Sequence, residues 1–494
     1  MSNNNSNNST HKLVNLPHIL LSNIVDNLTD NIDKICFSLV CKRWFDNRNR
    51  YLLFDTSTLY CIDKHSSRIT LNSFRSLIFE SLSKKKQCTM FVDPEANYFK
   101  RYDHLMDYDS IESIDEIDQN IVEVIIRSRE IKDSDKLMAR LYDLISKSNI
   151  TSIKDCHTLK YVPANITSLV IGVGVLPDTL ESFEMFNIYQ ILEPGVLPTS
   201  LKILRILGRS APDNYLKVGS LPPNLQEFIH NGSDFNIDSN VLPNSLITLE
   251  NVPVSWMKSI KQLENLRSLM LVGNSGSLLD LSDLPQSLTR LDISNSVKLQ
   301  SALPTSIRHL NLGNSKYDID ELFPDRSLYH FDYLQVAGFK QESLDGLNIK
   351  RLCLNNNFPY TEERSDTHRD IPFGVETLEI LYHNKINQKS LPSSVKTLVV
   401  DNMQNFIRPE EGILPDSVQN IELKQLLFPT TKMVDNISFK VDDYNKCSIR
   451  KLDDQYYIVF GHQNNIGFIA SLFHKSMFLD KVKVLKILTS NHKY

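Results

Sequence analysis

The residue types that could do chemistry are scattered along this chain. Its seven cysteines, Cys36, Cys41, Cys61, Cys88, Cys156, Cys353 and Cys447, include no Cys-x-x-Cys pair. Zinc sites need closely spaced thiolates and imidazoles, so this spacing offers none. The 13 histidines include no pair at helical metal-binding spacing with a carboxylate partner. Gly172-Val-Gly174 begins like a dinucleotide-binding loop, but the third glycine is missing and Pro177 follows at once, which reads as a turn. The acidic stretch from Asp103 to Asp118 has the composition of a calcium loop without its turn glycine or ligand spacing. It reads as a solvated face or a linker. No phosphate-binding loop, nucleophile elbow, His-Glu-x-x-His or deaminase motif occurs. His309 and His330 read as surface residues, and the isolated cysteines as small core residues. The residues therefore predict no enzyme, no metal site and no cofactor.

Composition narrows the partners. The chain has 494 residues, a net charge of −5, 41% hydrophobic and 23% charged residues. That balance predicts no nucleic-acid partner. No apolar run approaches the ~18 residues of a membrane helix, so no membrane partner is expected either. Met1 to Thr10 is an Asn/Ser tract without the basic and apolar regions of a secretory signal, and residues 1–12 are expected to be disordered. An odd cysteine count without such a signal suits a reducing compartment, the cytoplasm or the nucleus.

What would position functional side chains is a ladder punctuated by proline. In Leu197-Pro198-Thr-Ser-Leu201-Lys-Ile-Leu204-Arg-Ile206, apolar residues fall three, six and eight positions after the proline. The same holds from Pro285, Pro304 and Pro392. Further anchors are Pro163, Pro177, Pro222, Pro243, Pro324, Pro372 and Pro415. Two long gaps hide copies without proline, Leu266-Arg-Ser-Leu269-Met-Leu271 and Ile349-Lys-Arg-Leu352-Cys-Leu354, and the short spacing from Pro163 to Pro177 makes the first copy irregular. Positions six and eight flank one residue, which is the period of a strand. Proline, which fixes φ and donates no hydrogen bond, belongs just before that strand. One such segment cannot bury its apolar face alone, but stacked copies make a continuous core.

A period near 21 with this core is the leucine-rich-repeat signature. The Leu-Pro-x-Ser-Leu-x-x-Leu copies resemble FNIP repeats, a leucine-rich-repeat relative. The Phe-Asn-x-Pro element that names the family has its nearest counterpart in Phe235-Asn236-Ile237. The resemblance implies an α/β repeat fold, a leucine-rich-repeat-like solenoid of about twelve repeats over residues 161–425, with a parallel sheet on the concave face. Residues 426–494 are expected to cap the array. Within them Gln455 to Gly461 reads as a strand ending at the glycine. Residues 57–160 are assigned to a linker and degenerate repeats. Ile121 to Ile126 fits a strand there, and Leu137, Leu141, Leu144 and Ile145 fit an amphipathic helix after Asp133-Ser134.

Residues 13–56 read as a small helical module. Leu20, Leu21, Ile24, Val25 and Leu28 share one helical face after Pro17, and Asp30 or Asn31 caps a second helix. Leu16-Pro17 and Leu39-Val40-Cys41-Lys42-Arg43-Trp44 resemble the two ends of an F-box. That module docks on the Skp adaptor of cullin-based ubiquitin ligases. The resemblance assigns adaptor docking to Leu16, Pro17, Leu20, Ile24, Val40 and Trp44, in a unit expected to project from the array.

The strand residue between positions six and eight should point outward. Down the repeats this row reads Glu184, Arg205, Ile229, Glu250, Met270, Asp292, Asn311, Asp332, Cys353, Glu379, Val399 and Glu422. It predicts a target-binding face for a protein segment bearing Lys or Arg, with a plain solvated surface as the alternative. The function expected is target recognition for a cullin-type ubiquitin ligase, holding the Skp adaptor and cullin scaffold at one end and an unknown protein target on the repeats. The alternative is a repeat scaffold unconnected with ubiquitination.

Overall fold

The structure is a computed structural model that describes residues 12–56, 59, 71–83, 88–93, 104–126, 134–156, 162–171, 176–185, 192–207, 216–230, 233–274, 276–337, 343–356, 371–382, 391–400, 416–423, 434–442, 445–463 and 467–478. The Asn/Ser tract, Gly172-Val-Gly174 and Pro415 lie outside the described residues. Two compact units divide the chain, residues 86–395 and residues 1–85 together with 396–494. This division cuts across the segments read from the sequence. Parallel strands dominate and helices are few, which is compatible with a repeat array.

In residues 86–395 the strands are β1 (Cys88–Val92), β2 (His104–Met106), β3 (Ile121–Ile126), β4 (Ser152–Cys156), β5 (Ser168–Ile171), β6 (Ser182–Met185), β7 (Ile203–Ile206), β8 (Glu227–Ile229), β9 (Thr248–Pro253) and β10 (Ser268–Val272). They continue with β11 (Leu278–Asp280), β12 (Arg290–Ser294), β13 (Lys298–Gln300), β14 (His309–Asn311), β15 (His330–Phe331), β16 (Tyr333–Ala337), β17 (Asn348–Ile349), β18 (Arg351–Asn356) and β19 (Thr377–Tyr382). Strands β3 to β10 pair parallel in chain order, and the ladder continues through β12, β14, β16, β18 and β19. Strand β1 lies between β2 and β3, parallel to both. The ladder thus starts well before residue 161, and the strand at Ile121–Ile126 and the helix at Ser134–Ser146 both form where the sequence places them.

Register shows why the proline pattern works. Leu204, Phe228, Leu249, Leu269, Leu291 and Leu310 stand opposite one another down the sheet. Each is fully buried. The proline-free copies sit in the same stack, Leu269 against Leu291 and Leu352 against Leu378. After most of the anchoring prolines the backbone turns at once, as when the Leu201 N–H donates to the Pro198 carbonyl at 3.1 Å; after Pro324 the turn comes one residue later, from the Leu328 N–H to the Asp325 carbonyl. In three copies the serine of Leu-Pro-x-Ser-Leu then ties neighbouring copies together, whereas the Ser306 hydroxyl of the Pro304 copy is buried without a partner among the described residues. Ser200 Oγ donates to the Leu180 carbonyl at 2.7 Å, Ser245 Oγ to that of Leu225 at 2.6 Å and Ser287 Oγ to that of Leu266 at 2.7 Å. Each of these carbonyls belongs to the residue whose N–H closes the preceding copy's turn, so the bond joins turn to turn.

Among the described residues two copies depart from the pattern in register. After Pro243 an extra residue enters β9, so Val252, not Asn251, stands opposite Leu271. Asn251 takes a positive φ of 62°, a conformation asparagine tolerates better than most residues. After Pro324 the ladder comes four residues late, because His330–Phe331 is diverted into a separate short pairing with β17. Leu334 takes the ladder position and Gln335 the outward row, so the row as read at Asp332 is out of register.

In the other unit the helices are α1 (His18–Asp26), α2 (Asn31–Ser38), α3 (Lys42–Asp46) and α4 (Asn72–Ser83). The strands are β20 (Thr397–Val400), β21 (Asn420–Leu423), β22 (Asn436–Asp442), β23 (Asn445–Lys451), β24 (Tyr456–Gln463) and β25 (Gly467–His474). Strands β20 to β22 are parallel; β22 to β25 form an antiparallel meander. Strand β24 runs on past Gly461. A Cβ there would lie 2.3 Å from the Lys446 carbonyl oxygen, so only glycine allows β23 this close. The helices pack onto the last strands of their own unit. Leu21, Val25, Ile32, Ile35, Trp44 and Phe54 share one core with Ile458, Phe460, Phe468 and Ala470 of β24 and β25. No helix among the described residues is long and apolar enough to cross a membrane.

Candidate interaction surfaces

The first surface is on the N-terminal helices. Pro17 precedes α1, and the Asp30 side chain caps α2 by accepting from the Ile32 N–H at 3.2 Å. On α1, Leu21 and Val25 face the core, while Leu20 and Ile24 are 44% and 39% exposed. At the junction of α2 and α3, Val40 is 66% exposed. Pro17 is exposed and Leu16 half-buried. Trp44 belongs to the interior. It is 7% exposed, its indole N–H donates to the Val14 carbonyl at 3.2 Å, and it stacks on Phe37 with ring centres 4.6 Å apart. Sequence reading missed Ile19 and Leu39, 71% and 39% exposed. Their apolar type outside the core-facing stripe was the available signal. Covering such side chains would return about 25 cal/mol per Å² of apolar area.

The second surface is the outward row of residues 86–395. Glu184 stands opposite Arg205, and Arg205 opposite Ile229 and then Glu250. Met270, Asp292, Asn311, Gln335, Cys353 and Glu379 follow in register. Asp332 is exposed in the turn before β16. The row is less acidic than one position per strand suggests, because the residues two places earlier share the face. Arg205 pairs with Glu227 at 2.6 Å, Arg290 with Asp292 at 2.6 Å, and Arg351 with Glu379 at 2.7 Å. His309 Nε2 lies 3.6 Å from Asp292 Oδ1, and its ring stacks on Tyr333 at 4.4 Å. The Tyr333 hydroxyl donates to Gln335 Oε1 at 2.7 Å.

Burial pushes the Asp292 carboxyl up, but hydrogen bonds from His309 and Arg290 outweigh it and hold the group below the usual carboxylate range. Burial raises the Tyr333 phenol, with Cys353 adding to the effect. Asp292 and His309 have the outline of an acid–base pair, yet the carboxylate is committed to Arg290 and the ring to Tyr333. Among the described residues no three His, Cys, Asp or Glu side chains gather as metal ligands. The row is less open than the sequence suggests: Asp292, Gln335, Cys353 and Glu379 are buried among their neighbours, and Asn355 Oδ1 on the same face is buried with no hydrogen-bond partner among the described residues.

No protein-family model matches the chain, and no curated protein is similar to it.

The third surface is in the unit made from the two ends of the chain. Glu422 and Val399 stand opposite each other on β21 and β20, Val399 buried and Glu422 exposed. Beyond them the same face is roofed by α2, leaving a cleft of about 500 Å³. Cys36 lines it, and burial together with Asp33 pushes its thiol up to about 11, so it stays protonated and is a poor nucleophile.

Proposed function

We propose that the chain is a non-catalytic recruiting protein. Its N-terminal helices dock the Skp adaptor of a cullin-based ubiquitin ligase, and the outward face of its leucine-rich-repeat-like solenoid holds a protein target. The observation that carries this reading is the division of labour on α1. Leu21 and Val25 complete the fold, while Leu20 and Ile24, with Val40 beyond α2, are left outside it. The F-box resemblance at Leu16-Pro17 and Val40-Cys41-Lys42-Arg43-Trp44 gives that surface its partner.

The full chain would be used as bait, beside a Leu20→Asp, Val40→Asp variant. Both residues are exposed, so the variant should keep its thermal midpoint. Capture of adaptor and cullin by the wild type, lost in the variant, is the expected result. Absence of both from the wild-type sample would defeat the ligase reading.

A second reading, a scaffold whose helices cap the sheet and serve no ligase, is favoured by one contact set. Phe54 stacks on Phe460 at 6.0 Å, and Arg450 reaches Asp33 at 3.4 Å. A cap needs such a seam. That reading expects Leu20→Asp to leave every captured protein in place.

A further inference from the structure

The cleft under α2 has a composition that neither a structural seam nor a solvated face requires. Its floor is the outward face of β20 to β23, carrying Thr397, Asn420, Asn436 and Ser438, and its roof carries Asp33 and Cys36. The amides form a ladder. Asn436 Nδ2 donates to Asn420 Oδ1 at 2.6 Å, and Asn420 Nδ2 to Thr397 Oγ1 at 3.3 Å.

Four charges line the space, Arg450 and Lys451 against Asp33 and Glu422, so the lining is neutral overall. They are not equally occupied. Lys451 is held by Asp454 at 3.0 Å and Asp435 at 3.7 Å. Arg450, whose side chain is only 19% exposed, has two long contacts, to Asp33 and to Ser438 Oγ, both at 3.4 Å. A guanidinium offers five N–H donors and binds best to a carboxylate set in its plane. Glu422 makes no hydrogen bond or ion pair among the described residues. The cleft therefore presents an under-used cation at one side and an unused anion at the other.

Register sets their separation. Glu422 is opposite Ser438, and Arg450 is opposite Asn436, so the two are two strands and two residues apart. At about 4.8 Å per strand and about 3.4 Å per residue, their backbones are roughly 12 Å apart. Both side chains are long enough to shorten that distance between charges. A cleft of about 500 Å³ is within the size of sites that enclose small ligands or a few residues of chain.

We propose that this cleft binds a short extended peptide segment carrying a Lys or Arg and an Asp or Glu one to three residues apart. The basic side chain meets Glu422, the acidic one meets Arg450, and the Asn420–Asn436 ladder faces the peptide backbone between them. The neutral lining disfavours a phosphate or a purely basic segment, which would leave one charge of the cleft buried against its like. The site stands whether or not the N-terminal helices hold a ligase adaptor.

The test uses the full chain and four fluorescent, end-capped hexapeptides on an alanine–serine background. One carries Lys and Glu two residues apart, two carry a single charge with Gln in place of the other, and one carries Gln at both. Fluorescence anisotropy should show the doubly charged peptide binding about tenfold tighter than either singly charged one. Glu422→Gln, at an exposed and unpartnered position, should erase the advantage of the lysine and keep that of the glutamate. Glu422→Lys should reverse the preference at that position toward an acidic residue. Equal binding of all four peptides, no binding up to millimolar concentration, or lysine selectivity surviving in Glu422→Gln would each overturn the proposal. So would displacement of the probe by free lysine or free glutamate at equal concentration.

Discussion

The outward face of the strands is finished in two ways. In residues 86–395 it is largely polar, and its charges meet in pairs such as Arg290–Asp292 and Arg351–Glu379. In the unit made from the two chain ends the same face starts polar, at Asn420, Glu422 and Asn436. It turns apolar at Ile458, Phe460, Phe468 and Ala470, where the helices cover it. A strand with a satisfied polar face can stand in water; β24 cannot. Its run of Tyr457, Ile458, Val459 and Phe460 is buried on both faces. The helices are thus bound to the fold through one side and leave Leu20, Ile24 and Val40 on the other.

The largest expected effect tests that seam. Phe460→Ala removes a ring packed against Phe54 and Phe468 and should cost about 3–5 kcal/mol in urea unfolding. Hydrogen exchange should speed up in α1 and α2; protection unchanged there would show that the helices stand without β24. Leu291→Ala, in the interior of the other unit, should cost about 2–5 kcal/mol without touching α1 or α2.

The next effect is set by pH. His230 occupies position eight after Pro222, facing inward, and is fully buried against Phe235 and Trp256. Burial lowers it to about 4, although its bond to the Asn251 carbonyl opposes the shift. The unfolded chain takes up this proton near pH 6.5, so stability falls as pH drops from there to about 4 and this contribution then levels off. At 1.36 kcal/mol per unit the loss is about 3 kcal/mol. His230→Phe should flatten the profile over that interval. An unchanged slope would place the proton uptake elsewhere.

Ser245→Ala should cost about 1 kcal/mol by removing the donor to Leu225, measured by thermal unfolding. Smallest of all, Val40→Asp should change stability by less than about 0.5 kcal/mol, since the residue is 66% exposed. A larger loss would mean that Val40 serves the core.

Much of this architecture is legible in the sequence because position along the chain and position in the sheet are tied by a fixed period. Leu266 and Ile349 are found without their prolines for that reason. Asp332 is misplaced because a four-residue delay after Pro324 breaks the tie, and nothing local announces it. The outward row reads too acidic because one residue per strand was followed where two share the face, which left out Arg290 and Arg351. Trp44 reads as a docking residue because its neighbours do, while Val14, which takes its indole N–H, is thirty positions away. The seam at β24 had a usable signal in four consecutive apolar residues, too many for a strand with one face in water.

The hydroxyl ties have a direction. From Thr179 to Ser287 the donor belongs to the later copy and the carbonyl to the earlier one. Over that stretch a later segment completes an earlier one as it leaves the ribosome; beyond it the Ser306 and Ser417 hydroxyls are buried without a partner among the described residues, and Ser394 Oγ accepts from the Gly374 N–H. Removing copies from the front would strand only a hydroxyl that water can serve. Removing them from the back would strip a donor from a turn once the loss reaches Ser287, so the stretch from Thr179 to Ser287 should tolerate erosion from its front better than from its back.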